Sequence, residues 1–490
     1  MTRSGFLTLV AAVTLSACAR ATPEQQIVND AAEALGGRDR ILAVKTLVIE
    51  GDGTQYNLGQ DVNPAAHGQT FTVSTYRRAV DVAGGRARTE LARTPDFRYF
   101  QGQAQTKQVN GIDGTLAYNV AANGNATRAN DTVSNDRRIE LLHHPVTVVR
   151  AALDPMAMLS NPRTEGSESL VDVTTSGGQK VTLAIDSTTK LPTRVTNPGN
   201  NNVLGDVVIE TRFADYRDVS GLQLPSRLTS ATDDFVTAEI RATTQTVDGD
   251  TGDLAAPAAA ASATPPPPPA APTVAVEQMG KGLWFLSGGT HNSAVIEFAD
   301  HVTIIDTPQT EARGLAVIAK ARELVPNKPV TTLINSHHHF DHTGGLRAAI
   351  AEGLTVITHE GNVAWLEEIA KRPRTIVPDA LSKNPKPLMV KGINPAEVAI
   401  LSDNFNSVTL YPVSNVHSET MLLGYFPAQR VLFQADLYNE GFAVHPYVAG
   451  LLDEVKKRNL RVDRVMTGHG KLVPFAQMVK DAAAQTTATN

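Results

Sequence analysis

Hydrophobic and polar residues follow two different patterns along this chain. In the first half, short segments of alternating or β-branched residues are separated by turn residues, which predicts antiparallel strands. A helical pattern at 27–35 precedes them and ends at two glycines. We therefore predict a mainly antiparallel β domain with one helix over residues 27–250. The clearest strand segments lie at 45–50, 181–186, 192–196 and 207–213.

From residue 274 onward, strand patterns alternate with helical ones. Such alternation is typical of a layered α/β domain, and we predict one over 274–490. The strand patterns lie at 282–286, 294–298, 302–305, 330–334, 354–358, 408–411, 421–426, 431–434 and 462–466. The helical patterns lie at 311–324, 345–351, 362–371, 445–457 and 475–484.

The two parts are separated by a stretch rich in proline and alanine at 255–273, which includes five consecutive prolines. Proline lacks a backbone N–H and fixes φ, so this stretch is a poor continuation of a helix or a sheet. We expect an extended, semi-rigid linker between the two domains.

The N-terminus has a positively charged start, an apolar stretch at 6–15 and a small-residue motif, Leu-Ser-Ala-Cys, ending at Cys18. The apolar stretch is too short to span a bilayer as a helix. The segment resembles a bacterial lipoprotein signal, with an ordinary secretory signal as the alternative. The resemblance implies removal of residues 1–17, lipidation of Cys18 and anchoring at the cell envelope, facing the periplasm. Ala19 favours the outer membrane over the inner one.

Composition narrows the chemistry further. The chain has 490 residues, 42% of them hydrophobic, and 44 basic residues against 50 acidic ones. This charge balance gives no electrostatic footprint for nucleic acid, so we expect no nucleic-acid partner. One cysteine excludes an internal disulfide and a cysteine-based zinc site. A metal site would need His, Asp and Glu, and ten of the 13 histidines lie after residue 290.

Directly after one predicted strand, the segment 337–342 has the sequence His-His-His-Phe-Asp-His. His337, His339, Asp341 and His342 place imidazole and carboxylate donors on one short loop, and such donors suit zinc and similar divalent ions. The adjacent Asp341 and His342 cannot easily share one tetrahedral centre with the first two histidines. Division of the loop between two neighbouring ions solves this.

This loop resembles the signature of the metallo-β-lactamase-fold hydrolases, and the remaining positions of that pattern follow in order. His417 matches the third ligand of the first ion, Asp436 the bridging carboxylate and His469 the last ligand of the second ion. Upstream, Asp306 matches a residue that orients the loop. The resemblance implies a four-layer αββα sandwich. It also implies a first site of His337, His339 and His417.

The second site would consist of Asp341, His342 and His469, with Asp436 shared by both sites. Two Zn²⁺ ions would occupy them, with Mn²⁺ or iron as alternatives. A hydroxide held between the ions would attack the substrate, and Asp341 would be the catalytic group that accepts the proton of the nucleophile.

Asp436 is typical of the glyoxalase II, lactonase and phosphodiesterase branches of this fold, whereas true β-lactamases usually carry Cys or Ser there. We therefore expect hydrolysis of an ester, lactone, thioester or related acyl substrate. Three alternatives stay open: a β-lactamase, a persulfide dioxygenase-like oxidoreductase with one iron, and an envelope lipoprotein whose N-terminal domain binds lipid or a protein partner. The last rests on a faint resemblance of the N-terminal domain to periplasmic lipoprotein carriers, which hold acyl chains.

Other residues near the motif receive weaker assignments. His445 and Tyr438 follow Asp436 closely and could line a substrate pocket. His338 lies between two predicted ligands, and we expect it to face away. For His291, in a turn between two predicted strands, we expect a structural role.

Overall fold

The computed structural model describes residues 21–66, 69–97, 104–440, 444–445 and 447–488. Residues 1–17 and Cys18 lie outside these ranges, so the lipoprotein signal and the lipidation site stay predictions. Among the described residues, no helix combines the length and the apolar character that a membrane span requires.

The N-terminal part is built on one large antiparallel sheet, as the strand patterns predict. Its spatial order is β6-β5-β4-β3-β2-β1-β13-β12-β11-β10-β9-β8-β7. The strands are β1 (Thr46–Tyr56), β2 (Thr70–Asp81), β3 (Arg86–Pro95), β4 (Thr106–Asp113), β5 (Leu116–Val120), β6 (Ala126–Arg128), β7 (Met158–Glu165), β8 (Glu168–Thr174), β9 (Lys180–Asp186), β10 (Pro192–Asn201), β11 (Gly205–Val219), β12 (Leu222–Thr232) and β13 (Phe235–Val247).

The prediction of one helix in this part was wrong. Besides α1 (Pro23–Leu35), the structure has α2 (Arg38–Ala43), α3 (Asp131–Glu140) and α4 (Pro145–Ala152). The sequence of α4 is rich in β-branched residues, which favour strands, yet almost the whole helix is buried against α1 and the sheet. Tertiary packing therefore overrides local propensity here.

The predicted linker is only partly extended. It contains a short helix, α5 (Ala258–Ser262), whose Ala260 is fully buried, and Arg128 of β6 donates a hydrogen bond to the carbonyl of Ala263 at 3.1 Å. The start of this stretch therefore lies against the N-terminal sheet. The domain boundaries at 27–250, 255–273 and 274–490 stay predictions.

The C-terminal part contains two sheets, with the orders β14-β15-β16-β17-β18-β19-β20 and β21-β22-β23-β24-β25-β26. The first comprises β14 (Ala275–Gly280), β15 (Leu283–Ser287), β16 (Ser293–Glu297), β17 (Val302–Ile305), β18 (Val330–Ile334), β19 (Thr355–His359) and β20 (Met389–Ile393). The second comprises β21 (Ala399–Ser402), β22 (Ser407–Val413), β23 (Met421–Phe426), β24 (Val431–Gln434), β25 (Arg464–Thr467) and β26 (Val473–Pro474). The helices are α6 (Glu311–Leu324), α7 (Phe340–Thr343), α8 (Leu346–Ala351), α9 (Val363–Lys371), α10 (Ala380–Lys383), α11 (Val448–Lys457) and α12 (Phe475–Ala488), with a 3₁₀ turn at Glu360–Asn362.

Three apolar cores hold these elements in four layers, which confirms the predicted αββα sandwich. One core lies between the two sheets. A second lies between the first sheet and helices α6, α8 and α9, and a third between the second sheet and helices α11 and α12. In β15, Leu283 and Phe285 face the central core while Trp284 and Leu286 face the helices, because successive side chains of a strand point to opposite faces.

The two halves of the chain pack against each other through the β10–β11 hairpin. Val203, Leu204 and Val207 of this hairpin belong to the core that lies over α6, α8 and α9. Arg374 donates hydrogen bonds to the carbonyls of Asn202 and Val203 at 2.5 and 3.0 Å. The interface thus combines apolar burial with satisfied backbone acceptors.

We expect Leu204→Ala to lower the free energy of unfolding by about 2–5 kcal/mol, since it leaves a cavity at a fully buried position. Chemical denaturation of the full chain measures this change. Val208→Ala is the matched control: Val208 lies on the same hairpin but is 48% exposed, so its loss is expected to stay within about 0.5 kcal/mol. Equal effects of the two substitutions would contradict the assigned interface.

Candidate metal centre

The predicted ligands all follow the carboxyl ends of strands in the two central sheets. His337, His339, Asp341 and His342 come after β18, on the loop that leads into α7 and in α7 itself. The other three come from the second sheet: His417 follows β22, Asp436 follows β24 and His469 follows β25. The strand ends bring all seven side chains to one edge of the sandwich.

The side chains form two adjoining groups. In the first, one ligand atom each from His337, His339, His417 and Asp436 lies within 4.8 Å of the others. In the second, the same holds for the four residues His291, Asp341, His342 and His469.

Asp436 joins the two groups through its two carboxylate oxygens. Oδ2 lies 2.9 Å from His417 Nε2 and 3.4 Å from His337 Nε2. Oδ1 lies 3.0 Å from His469 Nε2 and 3.1 Å from His342 Nε2. One oxygen therefore faces each group, which is the arrangement that a bridging carboxylate requires.

Outer hydrogen bonds determine which nitrogen of each imidazole faces the cluster. His469 Nδ1 donates to the carbonyl of Thr290 at 3.1 Å, and His342 Nδ1 lies 3.0 Å from Asp306 Oδ2. Because these acceptors cannot donate, Nδ1 of each ring carries a proton, and Nε2, which faces Asp436, is the atom that can bind an ion once the ring has lost its second proton. Metal-binding histidines are commonly oriented in this way.

Asp306 lies beneath the loop and contacts it at three points. Its Oδ1 accepts the backbone N–H of Ser336 at 2.7 Å, and its Oδ2 accepts the Ser336 hydroxyl at 2.6 Å together with His342. The Ser336 hydroxyl in turn lies 3.1 Å from His337 Nδ1. Asp306 is fully buried and thus orients two histidines at once.

The charges of the cluster are strongly coupled. Burial favours neutral His342 and His469, yet Asp436 and Asp341 outweigh it, holding the pKa of His342 well above its usual value and raising the pKa of His469 to about 9. Burial, followed by the nearby His342, lowers the pKa of His337 to about 4. Burial alone would raise the pKa values of Asp341 and Asp436, but the surrounding histidines hold both well below the usual range.

The residues present fit a divalent cation. Within the part of the chain that the structure describes, His337 Nε2, His342 Nε2 and Asp436 Oδ1 are buried and make no hydrogen bond of good geometry. Buried polar atoms without partners are costly, and a cation between them would satisfy all three. Imidazole and carboxylate donors suit zinc and related ions.

His291 was assigned a structural role from the sequence, but the structure places it in the second group. Gln309 donates to the Thr290 hydroxyl at 2.8 Å, which leaves that hydroxyl to donate to His291 Nδ1 at 2.7 Å. His291 Nε2 then donates to Asp341 Oδ2 at 2.9 Å. Its position in a turn outside the histidine motif gave no sign of this contact.

The two residues suggested as pocket-lining take different places. Tyr438 is buried in the core beside α11 and α12, and its hydroxyl donates to Asp481 at 2.7 Å, so it is not brought into the cluster. His445 stacks on Tyr447, whose ring lies 6.3 Å from that of His417, which puts His445 beside the first group.

His338 lies outside both groups, as expected. Its Nδ1 lies 3.2 Å from the Thr420 hydroxyl, and its ring meets Trp365 edge-on.

Comparison with known proteins shows what this architecture is similar to. The family model described as "Metallo-beta-lactamase superfamily" matches residues 286–469. No curated protein matches the chain. Similar solved structures include a metallo-β-lactamase from Pontibacter korlensis (14% identity, 44% of this chain and 99% of that chain, TM-score 0.34). Another is a metallo-β-lactamase from Hirschia baltica (18% identity, 44% of this chain and 97% of that chain, TM-score 0.33). A third is FIM-1 from Pseudomonas aeruginosa in its mono-zinc form (15% identity, 44% of this chain and 96% of that chain, TM-score 0.33).

The four layers and the His/Asp cluster at their edge define the C-terminal part as an α/β domain with a metal-binding centre. The family match covers residues 286–469 of this part, which are similar to the metallo-β-lactamase superfamily.

We expect zinc uptake at pH 7 to release protons. His342 and His469 are protonated in the metal-free protein at this pH, because their pKa values are raised, and a histidine must lose its proton to bind an ion. Calorimetric titration in buffers of different ionisation enthalpy measures the number of protons released, and we expect these two histidines to contribute about two per chain. His469→Gln is expected to lower the number by about one.

His301→Ala is the control for that titration, because His301 pairs with Asp300 away from the cluster. Its proton release is expected to equal that of the wild type. Equal release from His469→Gln and from the wild type would contradict the assignment.

Proposed function

We propose that the protein is a dinuclear zinc hydrolase that acts on an ester, lactone, thioester or related acyl substrate. The observation that carries the proposal is the position of Asp436, whose two oxygens each face a separate pair of histidines. This division suits two neighbouring ions, each bound by one oxygen and the histidines that it faces, and does not suit a single ion. His337, His339 and His417 would hold the first ion; Asp341, His342 and His469 would hold the second.

The exposure of the ligands indicates where a substrate would approach. The side chains of Asp341 and His469 are 26% and 20% exposed, whereas those of His337 and His342 are fully buried. The second group therefore forms the open side of the centre. Substrate would enter there and meet Asp341 first.

Zinc ions in this centre would make water a nucleophile near neutral pH and polarise the carbonyl oxygen of the substrate. Asp341 would accept the proton of the attacking water and pass it toward the leaving group. The surrounding histidines hold its pKa well below the usual range and so keep it ionised. His291, which donates to the same carboxylate, would hold Asp341 in place during the transfer.

The carboxylate at position 436 supports acyl substrates other than β-lactams. The family resemblance associates Asp at this position with glyoxalase II and lactonase chemistry, and Cys or Ser with β-lactamases. An oxidoreductase with one iron would need only part of the ligand set, whereas all seven predicted ligands converge here. A β-lactam and a persulfide therefore belong in the substrate panel as outcomes that would redirect the proposal.

We expect His339→Ala and Asp341→Asn each to lower kcat/KM for the best acyl substrate by at least about 10²-fold. His339→Ala removes a ligand of the first ion, and Asp341→Asn removes the group that accepts the proton of the attacking water. The assay uses purified protein with known zinc content and a panel of esters, lactones, thioesters, a β-lactam and a persulfide.

His301→Ala serves again as the matched histidine control and is expected to retain wild-type turnover. Zinc-loaded protein that hydrolyses no member of the acyl panel would overturn the proposal. Oxygen consumption with a persulfide in the iron-loaded form would instead support the oxidoreductase.

A cavity in the N-terminal part favours a second function, the binding of a single-chain acyl lipid. The cavity has a volume of about 610 Å³, which is large enough for a small ligand. Apolar side chains such as Val80, Leu142 and Leu153 line it, and the charged lining residues are three arginines and two aspartates: Arg38, Arg138, Arg150, Asp81 and Asp154. An apolar wall with guanidinium groups suits a hydrocarbon chain that ends in a carboxylate.

We expect Ala151→Trp to weaken binding of a fluorescent fatty acid by about tenfold or more, because Ala151 lines the cavity and indole would fill part of it. Displacement from delipidated full-length protein measures the affinity. Ala122→Trp, at an exposed alanine in the turn between β5 and β6, is the matched control. Equal affinities for wild type and both variants, or no binding at all, would overturn acyl binding.

We also propose attachment of the protein to the bacterial envelope through lipidated Cys18, facing the periplasm. This proposal rests on the sequence motif alone. Acyl substrates and a lipid-binding cavity are compatible with that location.

A further inference from the structure

Residues 57–66, which follow β1, lie across the metal centre although they belong to the N-terminal half. We call this segment the β1–β2 loop. Backbone hydrogen bonds attach it to the catalytic domain: Phe340 N–H donates to the carbonyl of Gly59 at 3.1 Å, and Glu419 N–H donates to that of Val62 at 2.6 Å. The Asn63 side chain donates to Glu419 Oε2 at 2.7 Å.

The close approach at Gly59 depends on glycine. Its φ of +78° lies in the left-handed region, and a Cβ atom there would meet the Phe340 ring at 2.3 Å. The local sequence therefore permits the loop to lie directly on α7, which carries Asp341 and His342.

Two further contacts reach the cluster itself, one in each group. His339 Nε2 donates to the backbone carbonyl of Asp61 at 2.8 Å. The Gln60 side-chain amide donates to Asp341 Oδ1 at 2.7 Å. A single loop thus touches a predicted ligand of the first ion and a predicted ligand of the second.

The carbonyl of Asp61 selects the tautomer of His339. A carbonyl oxygen only accepts, so Nε2 of His339 carries the proton and Nδ1 carries the lone pair. Nδ1 is then the atom available to an ion in the first group. Without this acceptor, the imidazole would lose the bond that defines its orientation.

Gln60 performs the corresponding task for Asp341. Its amide occupies Oδ1, while Oδ2 lies 3.5 Å from His469 Nε2 and 3.7 Å from His342 Nε2. The carboxylate therefore turns one defined oxygen toward the second group. Loss of the amide would remove the bond to Oδ1 and leave His291, which donates to Oδ2, to hold the carboxylate.

We propose that the metal centre is assembled from both halves of the chain, with Gln60 and the Asp61 carbonyl as positioning groups supplied by the N-terminal domain. The proposal rests on the proposed function only in requiring divalent ions at the cluster. It gives the N-terminal half a direct part in ion affinity at the catalytic site, separate from any lipid binding.

The test compares wild type, Gln60→Leu and Gln60→Met in the full-length protein. Both variants remove the amide donor, and Gln60→Met keeps the length of the side chain. Zinc affinity is measured by competition with a chromophoric chelator, and ligand geometry by the visible absorption of the Co²⁺-loaded protein. Gln223→Leu, at a half-buried glutamine of β12, is the matched control.

We expect both Gln60 variants to bind the more weakly held of the two ions about 10- to 100-fold less tightly and to show a changed Co²⁺ spectrum. Such losses are usual when a metal ligand loses a residue that hydrogen-bonds to it. The melting temperature of the metal-free protein should stay near the wild-type value. This result would show that Gln60 positions Asp341 and does not simply hold the two halves of the chain together. If Gln60→Leu fails to fold, Gln60→Met supplies the same readouts.

Wild-type zinc affinity and an unchanged Co²⁺ spectrum in the folded variants would overturn this proposal while leaving the proposed function intact. A wild-type protein that binds no divalent ion would overturn both. Wild-type protein that binds two ions but hydrolyses no acyl substrate, with weakened binding in the Gln60 variants, would overturn the proposed function and support this proposal.

Discussion

The architecture of the site depends on one buried carboxylate. Asp436 is 5% exposed, and a charge so far from water must be compensated by partners of opposite sign or by a metal ion. Its partners are histidines from both central sheets, and no single sheet could surround it. The pairing of two sheets, with their strand ends at a common edge, is therefore what makes the cluster possible. The apolar core between the sheets stabilises that arrangement.

Rigidity increases from the open side of the centre to its base. Asp306, fully buried, holds Ser336 and His342 by short hydrogen bonds, and the loop above it has little freedom. On the opposite side, Asp341 and His469 reach solvent and are held by His291, Gln60 and the Thr290 carbonyl. Under the proposed function, the buried ligands would keep the ions in place while the exposed carboxylate contacts substrate and moves protons.

Much of the C-terminal fold follows from local sequence. Strands buried on both faces, such as β15 and β23, are continuous apolar runs bounded by turn residues, and helix α9 between them has a clear amphipathic pattern. The ligand loop was equally visible, since four donors within six residues are rare without a chemical role. The N-terminal helices were less visible. Helix α3 is mostly polar and α4 is rich in β-branched residues, which favour strands, so local propensity indicates a helix in neither segment.

The contacts that the sequence did not reveal are long-range ones. His291 lies 50 positions before Asp341, and Gln60 lies 281 positions before it, in a different half of the chain. Neither residue belongs to a motif, and a glutamine in a loop has no periodicity or composition that marks it. His291 is brought to Asp341 by packing within the C-terminal part. Gln60 is brought there by the packing of the two halves, through the β10–β11 hairpin on one side and the β1–β2 loop on the other. The interface between the halves therefore determines the hydrogen bonds that Gln60 and the Asp61 carbonyl make with the metal centre.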